Sequence, residues 1–202
     1  IRRPPRSTPS NSSAASDVYK RQGSGSICTT SEVTKAGSPT LYATAVVSDA
    51  FKEVGANIKV VADGGIRAPG DIALALAVGA SAVMMGNIFA RCREAPSELV
   101  VIGNKYFKKY RGMGSASARA KRYCLNRYSR PSKEVEEGVE GLVPYAGSVT
   151  EVVNRLKAGL KAAMGYAGAS NIREMHEKAR LLRISPLGME ELKPHDILLE
   201  RL

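Results

Sequence analysis

Apolar positions along this chain fall in short dense runs punctuated by glycines, and the runs alternate between two periods. From Thr40 to Val54 small and apolar residues permit a helix, with Gly55 placed to end it. Ile58-Lys59-Val60-Val61-Ala62 is β-branched and nearly continuous in apolar character, which predicts a short parallel strand buried on both faces. It runs straight into Asp63-Gly64-Gly65. Pro69 stands at a helix N1 position, and Asp71 to Val78 reads as a helix closed by Gly79. A second strand, Ala82-Val83-Met84-Met85, empties into Gly86-Asn87. Strand, glycine turn, helix, strand and glycine turn make a βαβ unit, with a right-handed crossover as the default.

Farther along, Ser148-x-x-Glu151 is a capping box. Val149, Val152, Val153, Leu156, Leu160 and Ala163 then recur at helical spacing, with Gly165 as the stop. Asn171 to Ala179 predicts another helix, and Pro194 to Leu199 a short extended tail. Residues 1–22 are different material, rich in Arg, Pro and Ser without a hydrophobic period. They read as a non-native or disordered leader, which places the folded domain at 23–202.

Composition narrows the class. A chain of 202 residues is long enough for one domain with a core, and 44% hydrophobic with 24% charged residues is ordinary for a globular protein. No run approaches the roughly 18 apolar residues that cross a bilayer. Three widely spaced cysteines, Cys28, Cys92 and Cys124, argue for a reducing, cytoplasmic compartment and against a disulfide framework. His176 and His195 lack the neighbours of a zinc site. The formal charge is +11, and residues 1–22 carry +4 of it. A denser concentration lies between Leu99 and Lys133, with ten Lys or Arg and no acid.

Chemistry concentrates in Gly23-Ser24-Gly25-Ser26-Ile27-Cys28-Thr29-Thr30. Glycines two apart let backbone approach a ligand, and Ser26 with nearby amides can donate to an anion. Cys28 shares that loop with hydroxyl residues, a setting that favours a nucleophilic thiol over an inert core one. In parallel α/β folds ligands bind at the carboxyl ends of strands. The Asp63-Gly64-Gly65 and Gly86-Asn87 turns occupy two such ends and can aim amides at one phosphate. Asp63 reads either as a turn cap or as an acceptor for ribose hydroxyls.

These segments, with Val61-Ala62-Asp63-Gly64-Gly65-Ile66, Met84-Met85-Gly86, Tyr110-Arg111-Gly112-Met113-Gly114-Ser115 and Asn126-Arg127-Tyr128, resemble the inosine 5'-monophosphate dehydrogenase family in order and spacing. The resemblance covers Gly23 to the C-terminus. It implies an α/β fold, the C-terminal part of a TIM (β/α)8 barrel with a flap and C-terminal helices. It also implies a homotetrameric, non-membrane enzyme that oxidises inosine monophosphate, a purine nucleotide, to xanthosine monophosphate with NAD. Cys28 then matches the residue that attacks C2 of the purine. Arg127 matches the group that activates the hydrolytic water, with Tyr128 beside it and Thr30 assisting. Ser26, Gly65, Gly86 and Tyr110 match phosphate ligands, Asp63 the ribose ligand, and Met113, Gly114 and Glu137 base contacts. Gly64, Asn87 and Gly112 complete the expected substrate-binding set. The carbonyls of Gly23, Gly25 and Cys28 match a potassium ion site, completed by Glu191 of a neighbouring subunit.

The chain departs from the family pattern in places. Asn87 stands where serine is usual, and Glu191-Leu192-Lys193 replaces Glu-Ser-His. Earlier barrel strands, the main NAD-binding residues and the regulatory insertion have no counterpart here. The expectation is therefore a C-terminal fragment, inactive by itself. Two other readings stay open. Guanosine monophosphate reductase shares the cysteine loop and barrel but runs no hydrolytic step. A non-catalytic nucleic-acid-binding fragment would use the basic run on phosphates, although steering of an anionic nucleotide explains that charge as well.

Overall fold

The computed structural model describes residues 26–35, 37–112, 114–120, 138–194 and 197. The leader 1–22 and most of the predicted tail lie outside the described residues. After the cysteine loop come two helices, α1 (Thr30–Thr34) and α2 (Thr40–Glu53). Strand β1 (Val61–Asp63) leads through α3 (Pro69–Ala77) to β2 (Ala82–Met84), which pairs parallel to it with Ala62 opposite Val83. The βαβ unit expected from the glycine spacing is therefore present.

Local chemistry explains α3. Ala68 is extended and carries no capping oxygen, but the Asp71 carboxylate accepts from the main-chain N–H groups of Arg67 (2.7 Å) and Ala68 (2.9 Å). Those are donors no helical carbonyl can reach. Pro69 at N1 needs no acceptor. At the other end Gly79 adopts φ +109, and a Cβ there would lie 1.9 Å from Ser48 Oγ, so the turn presses directly on α2.

Strand β1 differs from expectation. It begins at Val61 rather than Ile58, because β2 is three residues long and the pairing reaches back only to the Ser81 N–H to Val60 carbonyl bond (2.8 Å). Nor is the strand buried on both faces. Ala62 is 1% exposed on the helix side, whereas Val61 and Met84 are 50% and 49% exposed.

A second sheet was not anticipated. Strands β3 (Leu99–Ile102), β4 (Lys105–Arg111) and β5 (Glu140–Pro144) form an antiparallel sheet in the order β3-β4-β5. The two-residue turn Gly103-Asn104, with Gly103 at φ +58, joins the first pair. Short helices α4 (Asn87–Ala90) and α5 (Ala116–Ala120) flank it in sequence.

The long helix α6 (Val149–Tyr166) has both halves of the expected box. Ser148 Oγ accepts from the Glu151 N–H (3.2 Å), and Glu151 accepts from the Ser148 N–H (3.0 Å). Glu94 takes a further end donor, the Val149 N–H, at 2.9 Å. Gly165 does not end α6. It sits on the exposed side, and the left-handed stop is Gly168 at φ +68. Helices α7 (Ile172–Lys178) and α8 (Pro186–Glu191) follow, capped by the side chains of Asn171 and Ser185.

The core lies between α3, α6 and α7. Ile72, Ala73, Ala75, Leu76, Val152, Leu156, Ala169 and Met175 meet there, joined by Ala62 and Ile88. Gly159 of α6 lies against the Pro69 ring, so a Cβ would come within 2.5 Å of it. That glycine sets how closely the two helices approach.

Candidate functional site

Both parallel strands deliver glycine turns to one side of the molecule. Gly64 (φ +84) and Gly65 (φ +77) are left-handed in succession, a geometry glycine adopts without a Cβ penalty. The Gly64 N–H donates to the Met84 carbonyl at 3.1 Å, which ties the exit of β1 to the end of β2. At the β2 exit, a Cβ on Gly86 would lie 2.8 Å from the Tyr110 hydroxyl. The absent side chain is what admits β4. Asn87 Nδ2 donates to Ser26 Oγ at 3.1 Å, and the Tyr110 hydroxyl is hydrogen-bonded to the same serine side chain.

Ser26, Gly86, Asn87 and Tyr110 thus arrive from three separate segments and meet. With Asp63, Gly64 and Gly65 they line one cleft of about 820 Å³. Burial pushes the Tyr110 phenol above its ordinary pKa of 10, and the bond to Ser26 pulls the other way. The hydroxyl keeps its proton at neutral pH and stays available as a donor. Arg67 and Arg91 line the same cleft. Sequence reasoning assigned neither, although Arg91 falls one helical turn after Asn87, the spacing that puts two side chains on one face.

Cys28 is half-buried and is clamped from the other direction. Its segment forms an isolated antiparallel bridge with Gly138, and the Val139 N–H donates to the Ile27 carbonyl at 3.0 Å. The Gly112 N–H donates to the Val139 carbonyl at 2.9 Å, and the Ser115 N–H donates to the Gly112 carbonyl at 3.1 Å. A Cβ on Gly138 would lie 3.1 Å from Ser115 N and 3.3 Å from Gly112 Cα. Gly112, Gly114 and Gly138 are all buried. The glycines after Tyr110 therefore pack three backbone segments together around the cysteine. Glu140 fastens the edge of this stack, accepting from the Ser117 N–H at 2.9 Å. Hydrogen bonds from the Ser117 and Ser115 side chains hold its carboxyl below the ordinary 4.5.

One strand end thus serves two motifs. The Tyr110 side chain reaches the glycine-turn cleft, and two residues later Gly112 backs the Cys28 segment. Thr30 opens α1 directly beyond the cysteine loop. Gly23, Gly25, Met113, Arg127, Tyr128 and Glu137 lie outside the described residues. Glu191 is the exposed last residue of α8, and Lys193 beside it pairs with Glu190 at 2.6 Å. Among the described residues no group of three or more His, Cys, Asp or Glu could hold a metal ion.

Other candidates resolve simply. Cys92 is 1% exposed, its Sγ contacts the Ile88 carbonyl at 3.5 Å, and burial together with Glu94 pushes its thiol up. It is a core thiol. Cys124 lies outside the described residues. His176, expected as an exposed helix residue, is half-buried, with Nε2 3.0 Å from the Ala80 carbonyl. Several charges of the basic run are engaged internally. Lys108 is 4% exposed and donates to the carbonyls of Ala95 (2.7 Å) and Arg93 (3.5 Å). Lys109 pairs with Glu98, and Arg111 donates to Ser117 Oγ. Among the described residues no helix is long and apolar enough to cross a membrane.

Comparison with known proteins agrees with this architecture. Residues 13–195 match the IMP dehydrogenase / GMP reductase domain. The chain is 58% identical over 175 residues to inosine-5'-monophosphate dehydrogenase of Korarchaeum cryptofilum, covering 87% of this chain and 37% of that protein. It is 49% identical over 197 residues to the Methanocaldococcus jannaschii enzyme of the same name, covering 92% of this chain and 39% of the relative. For the Aquifex aeolicus enzyme the identity is 46% over 181 residues, covering 89% and 36%. The chain thus spans well under half the length of the relatives it matches. With glycine turns, tyrosine strand and cysteine loop in one arrangement, this chain belongs to the IMP dehydrogenase / GMP reductase domain family.

Proposed function

We propose that residues 23–202 carry the cysteine loop, last two strands, flap and C-terminal helices of a TIM-barrel catalytic domain, behind a leader at 1–22. The complete enzyme oxidises inosine 5'-monophosphate to xanthosine 5'-monophosphate, a step toward guanine nucleotides. The observation that carries this reading is that Asn87 and Tyr110 meet, beside Gly86, on Ser26, which lies two residues before Cys28 in the chain. Hydroxyl, amide and glycine N–H donors suit a phosphate, and Asp63 on the same cleft suits the ribose.

In this reading the Cys28 sulfur adds to C2 of the purine and the hydride on C2 departs, leaving a covalent thioimidate. Water then attacks C2 and the C–S bond breaks, which returns the thiol and gives the oxidised base. Splitting the substitution in this way replaces one hard step by two easier ones. Arg127 takes the proton of the water, with Tyr128 and Thr30 assisting. Met113, Gly114 and Glu137 contact the base, and Gly112 supports them. Oxidised NAD would supply the hydride acceptor. None of the described residues is assigned to hold it. Potassium fits less well. Of its expected donors, Gly23 and Gly25 lie outside the described residues, and the Lys193 ammonium pairs with Glu190, next in sequence to Glu191. A homotetramer, contributing Glu191 across subunits, belongs to the same proposal.

The names of the relatives support the dehydrogenase over the reductase. The internal engagement of Lys108, Lys109 and Arg111 supports an enzyme over a nucleic-acid binder.

The test is a chimera that joins residues 23–202 to the preceding part of the Korarchaeum enzyme. Nucleotide-dependent formation of reduced nicotinamide is expected. Cys28→Ser should abolish it, and Arg127→Ala should give one hydride transfer per site and then stall. Turnover retained by Cys28→Ser, or an unchanged steady state in Arg127→Ala, would overturn the assignment.

A further inference from the structure

The donors gathered at Gly86 are all uncharged. A phosphate monoester near neutral pH carries roughly −1.5 to −2 charges, and an arginine meets it with opposite charge and two parallel N–H···O bonds at once. Taking the cleft as a nucleotide-phosphate site, as proposed above, the question is which residue supplies the countercharge.

Among the described residues lining the cleft, Arg67 and Arg91 are the cations and Asp63 and Asp71 the acids. Asp71 is committed to the main-chain N–H groups that begin α3. Arg67 is exposed, and its own N–H is one of those two donors. Arg91 is placed differently. It caps α4 in helical geometry (φ −78, ψ −13), and its N–H donates to the Asn87 carbonyl at 3.3 Å. Its side chain therefore rises on the face of α4 that carries Asn87, the residue bonded to Ser26. The group is also held. Nε donates to the Pro144 carbonyl at 3.0 Å, and the Arg91 carbonyl accepts from the Ala146 N–H at 2.9 Å. Tethering at Nε fixes the guanidinium plane and leaves its two terminal nitrogens to serve as a fork, the geometry that matches two phosphate oxygens.

We propose that Arg91 is the cationic ligand of the nucleotide phosphate, held in place by β5 and acting beside Asn87. It binds the phosphate group and does not touch the reacting carbon.

The experiment measures inosine monophosphate binding to the 202-residue chain by titration calorimetry at low and moderate salt. Arg91→Gln should weaken binding about tenfold and flatten its salt dependence. Arg91→Lys, which keeps the charge without the fork, should recover part of the loss. Lys157→Gln removes a charge from the exposed side of α6 and should stay within about twofold, as surface charges usually do. Arg91→Gln binding within twofold of wild type, or no better binding by Arg91→Lys than by Arg91→Gln, would overturn the assignment. Loss of binding in Ser26→Ala but not in Arg91→Gln would sink this proposal alone. A wild-type chain that takes up no nucleotide would sink the reading of the cleft with it.

Discussion

Gly86 shows how much of this site rests on atoms that are missing. The Tyr110 hydroxyl lies 2.8 Å from where a Cβ would stand, and through Ser26 it joins β4 to the cysteine loop. Gly86→Ala should push the tyrosine out and cost nucleotide affinity equivalent to one or two hydrogen bonds, about 1–3 kcal/mol. The melting temperature should change far less, since the residue is exposed and lies outside the helical core. Binding calorimetry beside a thermal scan separates the two effects, and unchanged affinity would contradict the placement of Tyr110. At this scale the glycine turns were legible in the sequence, in that the residues flanking them lie together. Ser26, Asp63, Gly64, Gly65, Gly86, Asn87 and Tyr110 were all named from glycine spacing and resemblance, and they line one cleft. Arg91 belongs to no motif. Its position depends on a turn of helix and on the Pro144 carbonyl, which is 53 residues away in sequence. Lys108 was hidden for another reason, because a buried lysine capped by carbonyls looks like any other member of a basic run.

Among the elements, the βαβ unit and the capped helix α6 were legible because their signals are local. Pro69 and the Ser148–Glu151 box are read within one turn of chain. The antiparallel sheet was missed because charge dominated the reading of 99–133, although Gly103-Asn104 between β-branched and aromatic runs is a hairpin signal. Its third strand pairs with β4, Tyr110 opposite Gly141, and the isolated Cys28–Gly138 bridge lies just before it; no local pattern announces either contact. Gly138→Ala should be costly, since the Cβ would lie 3.1–3.3 Å from backbone atoms of Ser115, Gly112 and Gly114, which would have to shift to admit it. A loss of about 1–3 kcal/mol is expected, with slower Cys28 alkylation. Wild-type stability and reactivity would refute the clamp. Helix α7 has its own test. Bonds from Lys178 and from the Ser170 N–H and hydroxyl hold the Glu174 carboxyl at about 2, against an ordinary 4.5. A depressed carboxyl stabilises the fold fully above the unfolded pKa, and that contribution fades as pH falls from about 4.5 to about 2. Glu174→Gln should therefore melt lower than wild type at neutral pH and converge with it near the acid end. A constant gap across that range would contradict the sign.

For the whole molecule, the open face of the parallel sheet matters most. Val61 and Met84 are half-exposed, and Ile58 nearby is 56% exposed. Among the described residues the parallel sheet has two strands, whose outer edges present main-chain donors and acceptors to other chains. The isolated chain should accordingly self-associate in light scattering and show no turnover. A monodisperse, active monomer would contradict the partial-barrel proposal. The central claim, however, is that one sulfur and two glycine turns act on a single purine nucleotide. It is tested most directly with inosine monophosphate carrying chlorine at C2, where the thiol displaces chloride without any hydride acceptor. Peptide mapping by mass spectrometry should find Cys28 modified, not Cys92 or Cys124. The rate should saturate with nucleotide, fall about tenfold in Ser26→Ala, and drop when inorganic phosphate competes. Labelling of Cys28 at a rate indifferent to phosphate and to Ser26, or labelling at another cysteine, would contradict the account.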